Sequence, residues 1–231
     1  MLAIDARFRA LKHVADTQLA VAPEQQKFFA KRFASSTEQD LVFLEGIASQ
    51  IERLTGDNLT EHARDYAWLC AEQLEEELYW RRNGKYRYSL FSEALENVYA
   101  NAAYMKKYMN GLLMTQLWWS NHSAVIAYYV TQFLPGNKEG YSHLEIGPGH
   151  GLFLYLAASD PRCGSLTGWD ISQTSIDMTR AALAKMQSPK MPALELVDLF
   201  KGPRGSFDSL VLAKFSSTWR SHARRWRLFA P

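Results

Sequence analysis

The run Leu144-Glu145-Ile146-Gly147-Pro148-Gly149-His150-Gly151 constrains this chain more than any other segment. The apolar stretch His143 to Ile146 leads into it, and an apolar helical pattern, Leu152 to Ala158, follows. Three glycines at alternate positions let the backbone turn tightly and let a ligand approach the main chain closely. The helix that follows aims unpaired N–H groups and the positive end of its dipole at whatever binds there. Such a run also occurs in generic turns and in dinucleotide sites, so neighbouring residues have to narrow the reading.

The texture around the run supplies that narrowing. After Gly140, short apolar runs alternate with helical patterns. His143–Ile146, Leu166–Asp170, Leu194–Asp198 and Phe207–Ala213 read as strands; Leu152–Ala158 and Ser175–Met186 read as helices. This βαβαββ order predicts a parallel sheet. Asp170 ends the second strand, where a carboxylate can accept hydrogen bonds from vicinal ribose hydroxyls. Asp198 ends the third, within reach of an adenine amino group. A solvated turn aspartate explains either residue alone; the register of three successive strand ends favours a nucleoside site.

Upstream, residues 1 to about 134 read as helices. Pro23 stands where a first helical residue would. Ser35 and Glu38 fit a capping box ahead of a helix closed by Gly56, and Thr60 can cap the next, which stops at Asn83-Gly84. A further helical stretch spans Leu90 to Met109, with Gly111 as an interruption before another segment that ends at Pro135-Gly136-Asn137.

Residues 141–213 resemble the first half of class I S-adenosylmethionine (SAM)-dependent methyltransferases. Glu145-Ile146-Gly147-Pro148-Gly149-His150-Gly151 matches that family's acidic residue followed by GxGxG, a spacing unlike the GxGxxG of NAD enzymes. Phe207 to Ala213 matches its fourth strand. The resemblance implies an α/β fold with a Rossmann-like parallel sheet, an incomplete class I methyltransferase fold, behind a large all-helical N-terminal region. It implies that Glu145, Gly147, Gly149 and Gly151 hold the methionine part of SAM, that Asp170 holds the ribose, and that Asp198 or Leu199 meets the adenine. The implied activity is methyl transfer to a small-molecule acceptor. The adenine amino-methyltransferases carry an NPPY-type turn after strand four, where this chain reads Ala213-Lys214-Phe215-Ser216, so no nucleic-acid partner is expected. The segment before the glycine run is where such enzymes place a lid or dimer interface. There, Trp118 and Trp119 are core residues or acceptor wall, His122 is a core histidine or a general base, and His150 borders the cofactor or faces solvent. Two other readings stay open: a non-catalytic homologue that dimerises and binds SAM weakly or not at all, and a dinucleotide reductase.

The expected organisation is a helical lid or dimerisation region over 1–137, a SAM-binding α/β half-domain over 138–213 and a basic tail over 214–231. The tail holds Lys214, Arg220, Arg224, Arg225 and Arg227 with no acid, and without it the net charge of +2 becomes a small acidic excess. It fits neither helical nor strand periodicity. It reads as a membrane- or RNA-binding tail or, preferred here, as the product of a shifted reading frame that truncates the enzyme after its fourth strand. Strand four then lacks a neighbour, and a homodimer is expected to cover its edge. Cys70 and Cys163 have no metal-ligand spacing, so no metal is expected. The first residues lack the apolar core of a signal peptide, and no segment is apolar enough for a membrane span, so the expected compartment is the cytoplasm.

Overall fold

The computed structural model describes residues 2, 4–88, 101–202 and 205–212. The start of the helical stretch expected from Leu90, at 90–100, and the tail at 214–231 lie outside the described residues.

Helix α1 (Arg9–Val21) buries Leu11, Val14 and Ala15 along one stripe. Its first free amides, on Ala10 and Leu11, donate to the two carboxylate oxygens of Glu45 at 3.0 and 2.8 Å, which closes a helix start that has no cap of its own. Pro23 opens a 3₁₀ turn, Pro23–Gln25, ahead of α2 (Gln26–Ala34). The cap of α3 (Glu38–Thr55) is Thr37 with Asp40, not Ser35 with Glu38. Two overlapping boxes compete here, and Thr37 wins because Asp40 returns a bond to its amide at 2.8 Å. Glu38 turns to Arg7 instead. Helix α4 (Leu59–Asn83) starts one residue before the expected Thr60 cap and ends, as expected, on left-handed Gly84.

Helix α5 (Ala102–Trp118) runs through Gly111 without interruption. A Cβ on Gly111 would lie 2.8 Å from the Asp65 carbonyl oxygen and 2.9 Å from Leu69 Cβ. The glycine is therefore a point of close helix contact with α4, not a breaker. From Met109 to Trp118 every residue of α5 is buried, so α5 is the central helix. The break comes at Trp119, whose extended backbone starts α6 (Ser120–Tyr128). A π turn over Tyr129–Phe133 carries the chain to the turn at Pro135.

The sheet has four parallel strands in the order β3-β2-β1-β4. They are β1 (Tyr141–Ile146), β2 (Cys163–Asp170), β3 (Ala193–Leu196) and β4 (Ser209–Leu212), with α7 (Leu152–Ser159) and α8 (Gln173–Lys185) in between. The strands alternate in the usual way. Tyr141, His143 and Glu145 face the helices, whereas Leu144 and Trp169 face the other side and pack with Val197, Leu199 and Phe207 from the β3–β4 connection. One hydrophobic cluster runs from Leu2 and Leu11 through Trp118 to Leu154 and Met186, so the helical region and the sheet share a core. No described helix is long and apolar enough to cross a membrane.

Candidate functional site

The C-terminal ends of β1 and β2 and the start of the β3–β4 connection are tied into one unit by two backbone bonds. The Gly147 amide donates to the Trp169 carbonyl at 2.7 Å, and the Val197 amide donates to the Asp170 carbonyl at 2.8 Å. Through β2, therefore, the glycine loop, Asp170 and the Asp198–Leu199 segment stand side by side. Asp198 falls two residues past the last residue of β3, and its carbonyl accepts from Lys201 in the 3₁₀ turn Leu199–Lys201.

Gly147, Gly149 and Gly151 all have positive φ, the region that non-glycine side chains avoid. Their surroundings differ. A Cβ on Gly149 would sit 3.0 Å from the Met109 sulfur, and one on Gly151 would rest against Thr179 and Leu183. One on Gly147 would meet nothing within 4 Å. The open side of the loop is thus at Gly147, next to Glu145.

Glu145 is fully buried, and neither carboxylate oxygen has a hydrogen-bond partner. Burial pushes its carboxyl well above the usual carboxylate range. The Leu154 amide offsets this in part without forming a bond of normal geometry, and Asp170 adds to the upward push. Asp170 is raised to about 6, by burial first, against the downward pull of the Ser172 and Ile171 amides. Its Oδ1 accepts from the Ser172 amide at 2.8 Å, which fixes the carboxylate at the strand end. A buried acid without a partner is costly and uncommon, and either a bound proton or a group from outside the chain relieves that cost. Among the described residues no cluster of His, Cys, Asp and Glu could hold a metal.

Several side chains support the loop that sequence alone did not single out. Thr179 on α8 donates to the Gly149 carbonyl at 2.7 Å. Ser175 and Thr179, buried polar residues one turn apart, were the available signal. Gly168, opposite Glu145 in the β1–β2 register, is closely packed by side chains: a Cβ would lie 2.7 Å from the Leu194 Cδ2 methyl, which would have to shift to admit it. The Met105, Met109 and Leu112 cluster of α5, with Tyr108 and Met178, packs beside the loop at Gly149.

The structure places the remaining predicted residues as follows. His150 lies in the loop, and its Nδ1 accepts from the Leu152 amide at 3.2 Å, closing part of the α7 start. His122 is half-buried on α6, with Nδ1 2.8 Å from the Thr115 hydroxyl and its ring 4.9 Å from Trp119. Trp118 has no exposed surface and packs edge-on against Phe29 and Phe33, so it is core and not acceptor wall. Trp119 donates through Nε1 to the Tyr66 hydroxyl at 3.1 Å. A further buried histidine, His143, links β1 to the Tyr129 hydroxyl at 3.1 Å and to the Ser209 hydroxyl at 2.9 Å. No protein-family model matches this chain, and no curated protein matches it either.

Proposed function

We propose that this chain is a class I-type methyltransferase that binds SAM at the ends of β1 and β2 and serves a small-molecule acceptor. The observation that carries the reading is the orphaned carboxyl of Glu145 beside the open face of Gly147. Those residues suit the cofactor: Glu145 and the loop amides would take its amino-acid end, Asp170 its ribose, and Asp198 or Leu199 its adenine. Bound SAM supplies a methyl group already activated by its positive sulfur. The chain's own work is then positioning, which can account for several kcal/mol of a barrier, on the order of 7–11 for well-oriented groups. Asp170 orients the ribose through a carboxylate that the Ser172 amide has already fixed. Trp169, Val197, Leu199 and Phe207 give an apolar flank to the strand ends. For an acceptor that must lose a proton, His122, held by Thr115, is the side chain to test.

Calorimetric titration with SAM and, separately, with NADH tests the reading. SAM is expected to bind and NADH is not. Asp170→Ala removes charge-assisted hydrogen bonds and is expected to weaken SAM binding by about 2 kcal/mol. Equal affinity in parent and variant overturns the site assignment. Binding without turnover across acceptor panels identifies a non-catalytic cofactor binder.

A further inference from the structure

Glu145 and Asp170 lie on the same side of the sheet. Glu145 pairs with Gly168 in the β1–β2 register, so Asp170 is two residues further along the neighbouring strand. Gly168 brings no side chain between them, and Leu154 and Leu194 crowd its place, so the lining there is apolar. Neither carboxyl forms an ion pair with a lysine or arginine among the described residues. Two acids so placed, Glu145 fully buried and Asp170 half-buried, do not readily both carry charge, and one bound proton relieves both their repulsion and the cost of burying charge.

Resting on the function proposed above, we propose that the Glu145–Asp170 pair holds a proton in the ligand-free protein and releases it to solvent when a cationic ligand binds. The site therefore exchanges one cation for another. The ligand chemistry it selects is a nucleoside that carries a protonated amine or a positive sulfur close to its ribose, over an uncharged nucleoside thioether. The proton leaves as the ligand's positive end enters, so the charge of the pocket stays nearly constant and the second acid ionises only when a positive group is there to meet it.

The other groups around Glu145 leave this exchange to the pair. On its own strand His143 is neutral at ordinary pH, since burial lowers it to about 4. The π turn contributes Tyr129, a phenol that burial keeps protonated. Helix α7 contributes the Leu154 amide, and β4 contributes the uncharged Val211 and Ser209 across the register. Around Asp170 stand the Ser172 and Ile171 amides. On α8, Asp177 and Arg180 are exposed and pair with each other, and the β3–β4 connection brings Asp198, another acid. No neighbour named here supplies the missing positive charge.

The test is titration of the whole chain with SAM near neutral pH in two buffers, phosphate and Tris, whose ionisation heats differ widely. Proton release makes the apparent binding heats differ, and the difference counts the protons. We expect close to one proton per SAM in the parent, less than half of that in Glu145→Gln, and a smaller release for 5′-methylthioadenosine, which lacks both the amine and the positive sulfur. SAM binding with equal heats in the two buffers overturns the exchange and leaves the cofactor assignment standing. Absence of SAM binding overturns the cofactor assignment. The resting proton is then judged without ligand, by unfolding midpoints at about pH 5 and about pH 8. The parent is expected to lose stability relative to Glu145→Gln as pH rises, and parallel behaviour of the two overturns the held proton itself.

Discussion

The α4–α5 contact and the strand ends handle the same residue types in opposite ways. Asp65 and Glu145 are both buried acids. Asp65 accepts from the Asn110 amide at 2.8 Å, inside the α4–α5 contact, whereas Glu145 has no partner at all. Gly111 and Gly147 make a second pair. Gly111 exists because another backbone fills the space where its Cβ would be, and Gly147 because that space is open and its φ is +70°. At the α4–α5 contact, polar and small residues complete a packed interior, although elsewhere in the helices Gln18, Arg32, Gln50 and Trp118 each bury a side-chain polar atom without a partner. At the strand ends they leave groups unmet and room unfilled, which is what a binding site requires at some cost in stability.

The sharpest way to break this comparison is to fill the helical glycine. Gly111→Val forces a side chain into the Asp65 carbonyl and Leu69, and α4 and α5 have to part. A loss of about 3 kcal/mol is expected in urea unfolding. A loss below about 0.5 kcal/mol shows that the helices slide freely and that the contact is not a constraint. Gly147→Ala is expected to cost less, about 1–2 kcal/mol for the left-handed backbone alone, while reducing SAM binding more than any change at Gly111 that still folds.

His143 joins the helical region to the sheet, and pH tests that joint. The unfolded chain takes up this proton at about 6.5 and the folded protein only at about 4. The unfolded state therefore binds more protons in that window. The stability that depends on neutral His143 is complete above about pH 6.5 and falls as pH drops towards 4, by up to about 3 kcal/mol. Asp170 acts in the other direction, because its folded value of about 6 lies above its unfolded one and favours the folded state as pH falls through that range. Unfolding curves of the parent and of His143→Gln between about pH 7 and 4 separate the two effects. The variant is expected to show the shallower loss, and identical slopes would mean that His143 charges without consequence.

The two acids give the next contrast. Asp65→Ala strands the Asn110 amide and is expected to lose about 2 kcal/mol with SAM binding little changed. Glu145→Leu removes an unmet polar group and is expected to gain about 1 kcal/mol while abolishing SAM binding. Two changes of the same sign in stability would erase the distinction between the regions. The smallest effect is expected at Thr37→Ala, which loses its capping box and about 1 kcal/mol without touching the strand ends.

Much of this was legible in the sequence, and the parts that were not have physical reasons. The glycine run and the cores of the strands stood out because apolar runs between turn residues leave few alternatives. The beginnings of β1 and β2 did not, since Ser142, Gly164 and Ser165 carry no apolar signal and take strand form from their neighbours across the sheet. Gly111 read as a break because the helix penalty of glycine is local, while the close approach that requires it comes from α4, far off in sequence. The glycines and Asp170 were readable from the run and its strand-end register, and Glu145 was named from the resemblance. The lack of a partner for Glu145 was not readable, because alternation assigns a residue to a face without saying what else lies there. Thr179 and Met109 reach the loop from helices whose placement only the fold supplies.

The two amide bonds that β2 receives, from Gly147 into Trp169 and from Val197 into Asp170, also bear on how fast a ligand can be taken up. Each pins a connecting segment at the point where it leaves its strand, so these turns are ordered when the chain folds and not when the ligand arrives. Fixing a residue's backbone costs on the order of 1–2 kcal/mol, and here that loss falls on folding and leaves encounter untouched. Association should therefore follow diffusion and orientation, with a rate that rises in proportion to ligand concentration and shows no plateau from a slow rearrangement.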